Sequence, residues 1–356
     1  MEIVAAPIKL GTALIVGNFL SGHGRNRSVC EDLAERLQGA GWCILTTSRK
    51  TGRVARFVDM LGACWRWRGE YQAAQVDLFS GPAFFWALAL GFLLGRLRKP
   101  FVLTLHGGNL PAFGRKWPRF MRSLLGSASK VTAPSGYLAE AFRPFRGNIE
   151  ILPNAIDISA YPFRLRRKAT PTIVWLRAFH RIYQPTLAVL ALADLVGEFP
   201  DIRLIMAGPD KLDGSLQATK SLAVSLGVSD RIEYTGSVAK VKVPECINRG
   251  DIFLNTSAVD NHPVTLIEAM ACGSCVVTTR PGGIPYLVED RVNGILVAKD
   301  EGPALAEGVA GILRNPGVAE DLSRRARQSV EAFDWAAILP RWSSLLGQLA
   351  GIQSAG

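Results

Sequence analysis

The sequence predicts an α/β protein built from two doubly wound domains, each a parallel sheet covered by helices. Short, nearly continuous apolar runs alternate with amphipathic stretches along the chain, which is typical of parallel strands buried on both faces. These runs form two consecutive sets of five or six, and neither set needs strands from the other. A length of 356 residues also suits two domains of ordinary size.

The strand-like runs can be placed in order along the chain. The first set comprises residues 12–19, 41–48, 75–81, 100–108, 129–135 and 149–154. The second set comprises residues 170–177, 202–209, 231–238, 251–257, 275–280 and 293–300. Amphipathic helical patterns between them include residues 27–39, 217–226 and 304–313. A polar, proline-containing stretch at residues 161–172 separates the sets, so we predict domains at residues 1–165 and 166–335.

Positive charge is concentrated in the first half. Residues 1–170 contain 24 Lys and Arg against 10 Asp and Glu, whereas residues 171–356 contain 17 against 20. Four basic clusters of the first half are interleaved with Trp65, Trp67 and Trp117. This pattern favours a negatively charged partner such as an anionic membrane surface. Nucleic acid is an unlikely partner because no recognition motif accompanies the charge.

The apolar runs and cysteines bear on localisation. The longest apolar run, residues 83–95, is shorter than the ~20 residues that span a bilayer. The first strand-like run lacks the basic flank and cleavage site of a signal peptide. Six cysteines show no disulfide pattern, and Cys272 and Cys275 form a single CxxC that favours buried thiols over zinc. We expect a cytoplasmic protein, peripheral on the inner face of the membrane.

Residues 260–285, DNHPVTLIEAMACGSCVVTTRPGGIP, contain the densest group of candidate site residues. Asp260 and Glu268 lie eight positions apart, and a helix is predicted to begin at Thr265. The Thr265–Glu268 spacing matches a capping box, which would make Glu268 structural. Alternatively, Glu268 receives ribose hydroxyls, and the N–H groups of residues 264–267 bind a phosphate or sugar oxygen. Glycines 282 and 283 allow a ligand to approach the backbone closely.

This stretch resembles the sequence signature of the retaining glycosyltransferase family 4, which has the GT-B fold. The matching features are two acids eight apart, EAMACG, CVVTT, GGIPYLV and NGILV. TLHGGN, VTAPSGYLAEAF, ILPNAID and LIMAGPD match further family segments in order. The resemblance implies two Rossmann-like domains facing a central cleft. It also implies that residues 336–356 form a helix packing back towards the N-terminal domain.

The resemblance implies roles for individual residues, without a metal or a cofactor. The residues implied in catalysis are His106, Arg177, Asp260 and Glu268. The residues implied in binding a nucleotide-diphosphate sugar are Arg181, Gly208, Lys211, Val264, Thr265, Leu266, Glu268, Gly282 and Gly283. The residues implied in the acceptor-side loops are Gly17, Gly22, His23, Gly24, Arg25, Gly107, Gly108 and Asn109. Glu268 would bind the donor ribose, and Arg177 would neutralise the diphosphate.

Two positions depart from the family pattern. Asp260 stands where a glutamate is usual, so its carboxylate reaches one methylene less far. Ile182 and Tyr183 occupy the positions where the family usually carries a second diphosphate-binding cation, a lysine. Arg181 or Lys211 could replace that charge, since both follow predicted strand ends.

The resemblance therefore implies a retaining, metal-independent hexosyltransferase of polysaccharide or glycoconjugate biosynthesis. Its partners would be a nucleotide sugar and a saccharide or lipid-linked acceptor. Two alternatives remain open. One is a catalytically silent binding partner of the same fold, suggested by the absent lysine. The other is a nucleotide-sugar isomerase or phosphorylase of that fold, distinguished by using free sugar or phosphate as the acceptor.

Overall fold

The computed structural model describes residues 10–23, 27–298 and 301–352, which form two units. One unit combines Met1–Asn154 with Trp335–Gly356, and the other is Ala155–Asp334. Each unit contains a six-stranded sheet in which all paired strands are parallel. The predicted pair of Rossmann-like, doubly wound domains is therefore confirmed.

The strands lie where the apolar runs predict them. The first sheet consists of β1 (Gly11–Val16), β2 (Trp42–Thr47), β3 (Ala73–Leu78), β4 (Phe101–Leu105), β5 (Lys130–Ala133) and β6 (Glu150–Ile151). The second sheet consists of β7 (Thr172–Leu176), β8 (Arg203–Ala207), β9 (Ile232–Gly236), β10 (Ile252–Asn255), β11 (Cys275–Thr279) and β12 (Ile295–Val297). Most of these strands are buried along nearly their whole length, which explains their continuous apolar sequence.

Helices connect the strands and supply the other half of each core. In the first unit they are α1 (Val29–Gly39), α2 (Arg53–Arg66), α3 (Pro82–Arg96), α4 (Leu110–Lys116), α5 (Pro118–Ser127) and α6 (Gly136–Phe142). In the second unit they are α7 (Pro185–Leu195), α8 (Ser215–Ser225), α9 (Val243–Asn248), α10 (Val264–Ala271), α11 (Gly302–Arg314) and α12 (Pro316–Val330). The last helix, α13 (Trp335–Ala350), packs against α1, β1 and β3 of the first unit. None of the described helices is long and apolar enough to cross a membrane.

The order of strands creates one reversal in each sheet. The first sheet has the order β2-β1-β3-β4-β5-β6, so the connections change direction between β1 and β3. The second has the order β12-β11-β10-β7-β8-β9, with the reversal between β7 and β10. Loops leaving the two strands at such a switch point diverge and leave a crevice, which is the usual ligand site of an open α/β sheet.

In the structure the boundary between the units lies between Asn154 and Ala155, whereas the sequence predicts it between residues 165 and 166. The Ile156 N–H donates to the Phe333 carbonyl at 3.0 Å, and the Ile158 N–H donates to the Asp334 carboxylate at 2.9 Å. Ile156, Ile158 and Tyr161 are buried in the core of the second unit. Residues 161–172 form a mostly exposed segment in which Arg166 is buried, and this segment does not mark a linker.

Candidate functional site

The switch point of the second sheet is occupied by an ion pair between Arg177 and Asp260. Arg177 directly follows β7, and Asp260 lies in the loop after β10. The Arg177 guanidinium pairs with the Asp260 carboxylate, and its Nε lies 3.4 Å from Asn255 Oδ1. The guanidinium also lies 4.8 Å from the centre of the Tyr183 ring. Because both charged side chains are largely shielded from water, their attraction is screened less than that of a surface pair.

A network of buried hydroxyl and amide groups supports this pair from the sheet side. Asn255 Nδ2 donates to Thr278 Oγ1 at 2.9 Å, and Ser257 Oγ donates to Asn255 Oδ1 at 2.9 Å. Thr279 Oγ1 donates to the Ser257 carbonyl at 2.7 Å. The network links the carboxyl ends of β10 and β11 and fixes the Asn255 oxygen that faces Arg177. The sequence analysis missed these residues, although polar side chains ending two apolar strands were a usable signal.

Glycines let the loops of this site approach each other closely. A Cβ on Gly208 would lie 1.8 Å from the Arg177 carbonyl oxygen, and one on Gly283 would lie 2.1 Å from the Asn261 carbonyl oxygen. The backbone of Gly282 has φ +56°, a conformation that L side chains rarely adopt. Gly208 and Gly283 therefore have a structural reason to be glycine, independent of any ligand.

Glu268 is buried, with 1% of its surface exposed, and lies between two partners. The Tyr161 hydroxyl donates to Glu268 Oε1 at 2.6 Å, and Lys240 forms an ion pair with the same oxygen. The Lys240 side chain is 49% exposed, so one partner of the buried carboxylate reaches solvent. Neither partner was anticipated, since Tyr161 and Lys240 lie far from Glu268 in sequence and in segments without periodicity.

The capping-box interpretation of Glu268 is wrong. Helix α10 begins at Val264 with Pro263 as its N-cap residue, so Thr265 is already inside the helix. Glu268 consequently lies beyond the first turn and points into the unit, away from the helix start. The Leu266 and Ile267 N–H groups both donate to the Pro263 carbonyl, and the Leu266 side chain is fully buried. Of the segment 264–267, only Val264 and Thr265 are partly exposed.

The two residues considered as replacements for the absent lysine are both exposed. Arg181 begins a short 3₁₀ turn, and its N–H donates to the Asp213 carboxylate at 2.9 Å. Hydrogen bonds from Ser215 and from the Arg181 N–H lower the pKa of Asp213 to about 2. Lys211 lies in the loop after β8, and its N–H donates to the Phe179 carbonyl at 3.1 Å. Arg181 and Lys211 thus belong to neighbouring loops of the edge that carries Arg177.

His106 lies next to the switch point of the first sheet, at the end of the strand that pairs with β3. His106 follows β4, and its Nε2 lies 2.9 Å from Asp77 Oδ1. A carboxylate only accepts hydrogen bonds, so Nε2 carries the hydrogen and Nδ1 remains for a second partner. The ring stacks on Phe79 with centroids 4.8 Å apart. Gly17, which follows β1, makes room for this arrangement, because a Cβ there would lie 2.8 Å from Asp77 Oδ2.

Asp77 is held in turn by side chains below it in the sheet. Gln75 Nε2 donates to Asp77 Oδ1 at 2.7 Å and to Thr104 Oγ1 at 3.0 Å. Thr132 Oγ1 donates to Thr104 Oγ1 at 3.1 Å, which extends the chain of hydrogen bonds to β5. A polar network through the middle of an apolar sheet is costly unless it is well satisfied. Asp77 was not among the expected site residues, although a carboxylate inside an apolar strand was a visible signal.

The remaining acceptor-side residues belong to the loops that follow β1 and β4. Gly22 and His23 lie in a 3₁₀ turn, and His23 Nε2 is 3.1 Å from the Arg49 carbonyl. Gly24 and Arg25 lie outside the described residues. Gly107 has φ +85°, the Gly108 carbonyl accepts from the Tyr137 hydroxyl at 3.5 Å, and Asn109 is the N-cap residue of α4. Beside Gly17 and Asp77, a cavity of about 250 Å³ extends between α2 and α3.

The fold and these two switch points define a two-domain, Rossmann-like protein of the GT-B class. A family model described as Glycosyltransferase Family 4 matches residues 27–160, and one described as Glycosyl transferases group 1 matches residues 159–329. Together the two matches cover most of the chain, and the chain belongs to this glycosyltransferase family, the type that its sequence resembles.

Two curated relatives give the scale of the similarity. The D-inositol 3-phosphate glycosyltransferase of Saccharomonospora viridis is 30% identical over 159 residues, which are 42% of this chain and 36% of the relative. The protein of the same name from Arthrobacter sp. is 24% identical over 263 residues, which are 70% of this chain and 62% of the relative. The matches thus span less than two thirds of the length of these relatives.

Solved structures resemble the whole chain. Sucrose-phosphate synthase from Thermosynechococcus elongatus superposes with a TM-score of 0.79 at 18% identity, covering 96% of this chain and 99% of the other. The Anabaena protein Alr3699/HepE, in complex with UDP-glucose, superposes with a TM-score of 0.76 at 18% identity, covering 95% and 100%. At these identities the likeness establishes the fold.

Proposed function

We propose that this protein is a retaining glycosyltransferase that moves a hexose from a nucleotide diphosphate to a saccharide or lipid-linked acceptor. The observation that carries the proposal is the Arg177–Asp260 pair at the switch point of the second sheet. A cation held there by a carboxylate, a stacked ring and an amide oxygen is preorganised to receive a diphosphate. The Anabaena protein of the same fold, which binds UDP-glucose, supports a nucleotide-sugar donor.

The donor would meet residues of the second unit in a defined order. Its diphosphate would bind Arg177, assisted by one of the exposed cations Arg181 and Lys211. The departing diphosphate gains negative charge, and fixed cations stabilise that charge without a metal ion. The ribose would bind Glu268 by displacing the half-exposed Lys240 from the carboxylate. Asp260 would lie near the donor sugar.

In the first unit, His106 would contact the reacting sugar through Nδ1, the nitrogen that Asp77 leaves open. The basic charge of this unit supports an acceptor or a surface that is anionic, such as a lipid-linked saccharide at the inner face of a membrane. We therefore assign the protein to polysaccharide or glycoconjugate biosynthesis as a cytoplasmic, peripheral membrane enzyme.

A catalytically silent binding partner is the second candidate, and one observation favours it. Arg177 already carries a carboxylate partner, and the position usual for the family's lysine is taken by Tyr183, whose ring lies under the guanidinium. A donor diphosphate would then be held by less net positive charge than in a protein that keeps the lysine.

A panel of nucleotide sugars distinguishes these candidates. Thermal stabilisation by one nucleoside diphosphate and its sugar would identify the donor, because a ligand that binds the native state raises Tm. Transfer of labelled sugar to lipid-linked or free saccharides, with the anomeric configuration of the product read by NMR, tests the reaction and its retention. Stabilisation without transfer supports the silent partner, transfer to phosphate supports a phosphorylase, and no stabilisation by any member contradicts both binding functions.

A further inference from the structure

The first unit carries apolar side chains on its surface at helical spacing. On α2, Val54 is 77% exposed and Val58 is 60% exposed, and Trp65 continues the same side of the helix. On α3, Phe85 and the 65% exposed Phe92 lie seven residues apart, two turns along one face. A stripe of large apolar residues normally faces a core, but these stripes face solvent.

Aromatic contacts join the stripes across neighbouring helices. Phe57 of α2 stacks on Trp86 of α3 with ring centroids 5.7 Å apart. Phe85 of α3 lies 5.6 Å from Trp117 and 6.5 Å from Phe120, at the start of α5. The aromatic face, as we call this surface, comprises Val54, Val58, Trp65, Phe85, Phe92, Trp117 and Phe120.

The exposed apolar residues are concentrated on this surface. Among the described residues of the first unit, Ile151 is the only other large apolar side chain that is exposed to a similar degree. Helix α3 has no charged residue before Arg96, so its exposed side lacks the charged residues of an ordinary surface helix. Contiguous exposed apolar patches of this kind mark interaction sites.

Charge surrounds the aromatic face. Between residues 49 and 122 the chain carries thirteen Lys and Arg and only three Asp and Glu. Two of the arginines lie over exposed rings of the face, Arg68 at 4.5 Å from the centre of the Trp65 ring and Arg96 at 4.9 Å from that of Phe92. In this arrangement a ring can enter the apolar layer of a bilayer while the guanidinium stays at the level of the phosphates.

From these observations we infer that the aromatic face is the surface by which the protein binds an anionic lipid membrane. The inference rests on the proposed membrane association and names the surface that provides it. A lipid surface fits both the apolar and the basic side chains of the aromatic face and its surroundings. Aromatic and aliphatic side chains enter the membrane interface, and basic side chains neutralise anionic head groups. Neither alternative partner fits both the apolar and the basic side chains of this surface. A single-stranded nucleic acid would stack on the rings but not on Val54 and Val58, and a second copy of this chain would bring the same positive charge.

The test is co-sedimentation with vesicles of phosphatidylcholine containing about a quarter phosphatidylglycerol. We expect the wild-type protein to bind these vesicles at low salt, to bind less near 0.15 M salt, where screening shortens to ~8 Å, and not to bind phosphatidylcholine alone. The double variant Val58→Gln/Phe92→Gln should lower the vesicle partition coefficient about tenfold or more, because two apolar side chains lose their burial. The double variant Arg96→Gln/Arg119→Gln should lower it about tenfold and flatten the salt dependence.

Matched controls lie in the second unit. Val224→Gln removes a valine that is 71% exposed on α8, and Arg325→Gln removes an exposed charge on α12. Both controls should bind vesicles as the wild type does, and all four variants should keep the wild-type Tm because the replaced side chains are exposed.

Each contrary outcome has a defined meaning. No vesicle binding by the wild type would overturn both the membrane association and its surface. The assignment of the surface alone would be overturned if Val58→Gln/Phe92→Gln bound vesicles as well as the wild type does. It would also be overturned if Val224→Gln weakened vesicle binding as much as Val58→Gln/Phe92→Gln. If the wild type is a dimer that Val58→Gln/Phe92→Gln converts to a monomer, the partner of the aromatic face is a second copy of this chain and not a lipid. If the wild type binds an oligonucleotide in preference to vesicles, the partner is a nucleic acid.

Discussion

At the scale of single residues, the proposed donor binding by the second unit depends on the Arg177–Asp260 pair. The resemblance to the glycosyltransferase family singled out Arg177, the last residue of an apolar run, and Asp260, which lies eight residues before Glu268. Their contact could not be identified, since it depends on the strand order that brings β7 beside β10. The same reasoning applies to Glu268, whose partners Tyr161 and Lys240 come from segments that meet only in the folded unit.

Replacing Arg177 tests whether it binds the donor diphosphate. We expect Arg177→Ala to lower kcat by roughly 10²-fold or more, the scale of one lost charge-stabilising donor. It should also weaken binding of the nucleoside diphosphate alone, measured by calorimetry. Asp260→Asn is the matched comparison, because it releases Arg177 from its carboxylate and should leave diphosphate affinity equal or higher. If Arg177→Ala binds the diphosphate as tightly as Asp260→Asn does, Arg177 has a purely structural role.

Asp77 is the positioning residue that we expect to act through His106. In Asp77→Asn the amide can offer a donor to His106 Nε2, which would move the ring hydrogen to Nδ1. We expect kcat to fall about tenfold or more with little change in KM, since tenfold corresponds to the ~1.4 kcal/mol of one misplaced hydrogen bond.

Two further measurements separate positioning from general destabilisation at Asp77. The ¹⁵N spectrum of His106 should show the changed tautomer in Asp77→Asn. Thr132→Val, at the far end of the same hydrogen-bond network, should leave both the tautomer and kcat near wild type. An unchanged tautomer together with normal turnover in Asp77→Asn would contradict the role of this carboxylate.

At the scale of secondary-structure elements, local pattern predicted the strands well and the start of α10 poorly. All twelve apolar runs contain strands, and in most of them burial on both faces leaves an apolar signal along the run. The Thr265–Glu268 spacing, in contrast, occurs both in a capping box and inside a helix. Pro263 decides between them by accepting the Leu266 and Ile267 N–H groups, a three-dimensional detail that spacing alone does not contain.

The loop before α10 is coupled to the turn after α12 through a buried histidine. His262 packs edge-on against Phe333 with ring centroids 5.1 Å apart, and burial lowers the pKa of His262 to about 4. In the unfolded chain its pKa returns to about 6.5, so between these values the unfolded state binds more protons. The contribution of His262 to stability is therefore present above pH ~6.5 and decreases as the pH falls towards 4.

We predict that this linkage removes up to about 3 kcal/mol from the free energy of unfolding between pH 6.5 and 4. Urea denaturation across this range measures the change in the free energy of unfolding. Carboxylates that titrate in the same pH range contribute to the wild type and to a variant alike, so the difference between the two proteins isolates His262. His262→Gln should lose less stability on acidification than the wild type by about that amount. His23→Gln, which replaces an exposed histidine, should follow the wild-type curve, and parallel curves for all three proteins would refute the linkage.

At the scale of the whole molecule, the sequence predicted two Rossmann-like domains with a boundary at residue 165, and the structure divides its two units at residue 154. Composition separates a polar stretch from an apolar one, so residues 161–172 read as a linker. In the structure this stretch leads to Arg166, which is buried and forms a 3.0 Å ion pair with Asp251. Burial of the guanidinium lowers the pKa of Arg166 to about 10. A buried charge needs its partner in place, which only the folded unit reveals.

The two boundaries can be compared directly by expressing the second unit alone. A fragment of residues 155–334 contains all six strands of its sheet, so we expect it to fold cooperatively and to be stabilised by the donor found in the nucleotide-sugar panel. A fragment of residues 166–334 lacks Ile156, Ile158 and Tyr161, which are buried in that unit.

Burial of one such side chain contributes about 1.5–3 kcal/mol, and Glu268 would also lose the hydroxyl at 2.6 Å. The sum is about 5 kcal/mol or more, which is comparable with the ~5–15 kcal/mol that stabilises a typical domain. We therefore expect the shorter fragment to show no cooperative unfolding transition by circular dichroism. Equal stability of the two fragments would mean that residues 155–165 merely lie against the second unit, and the sequence-based boundary would then be the better description of how this chain folds.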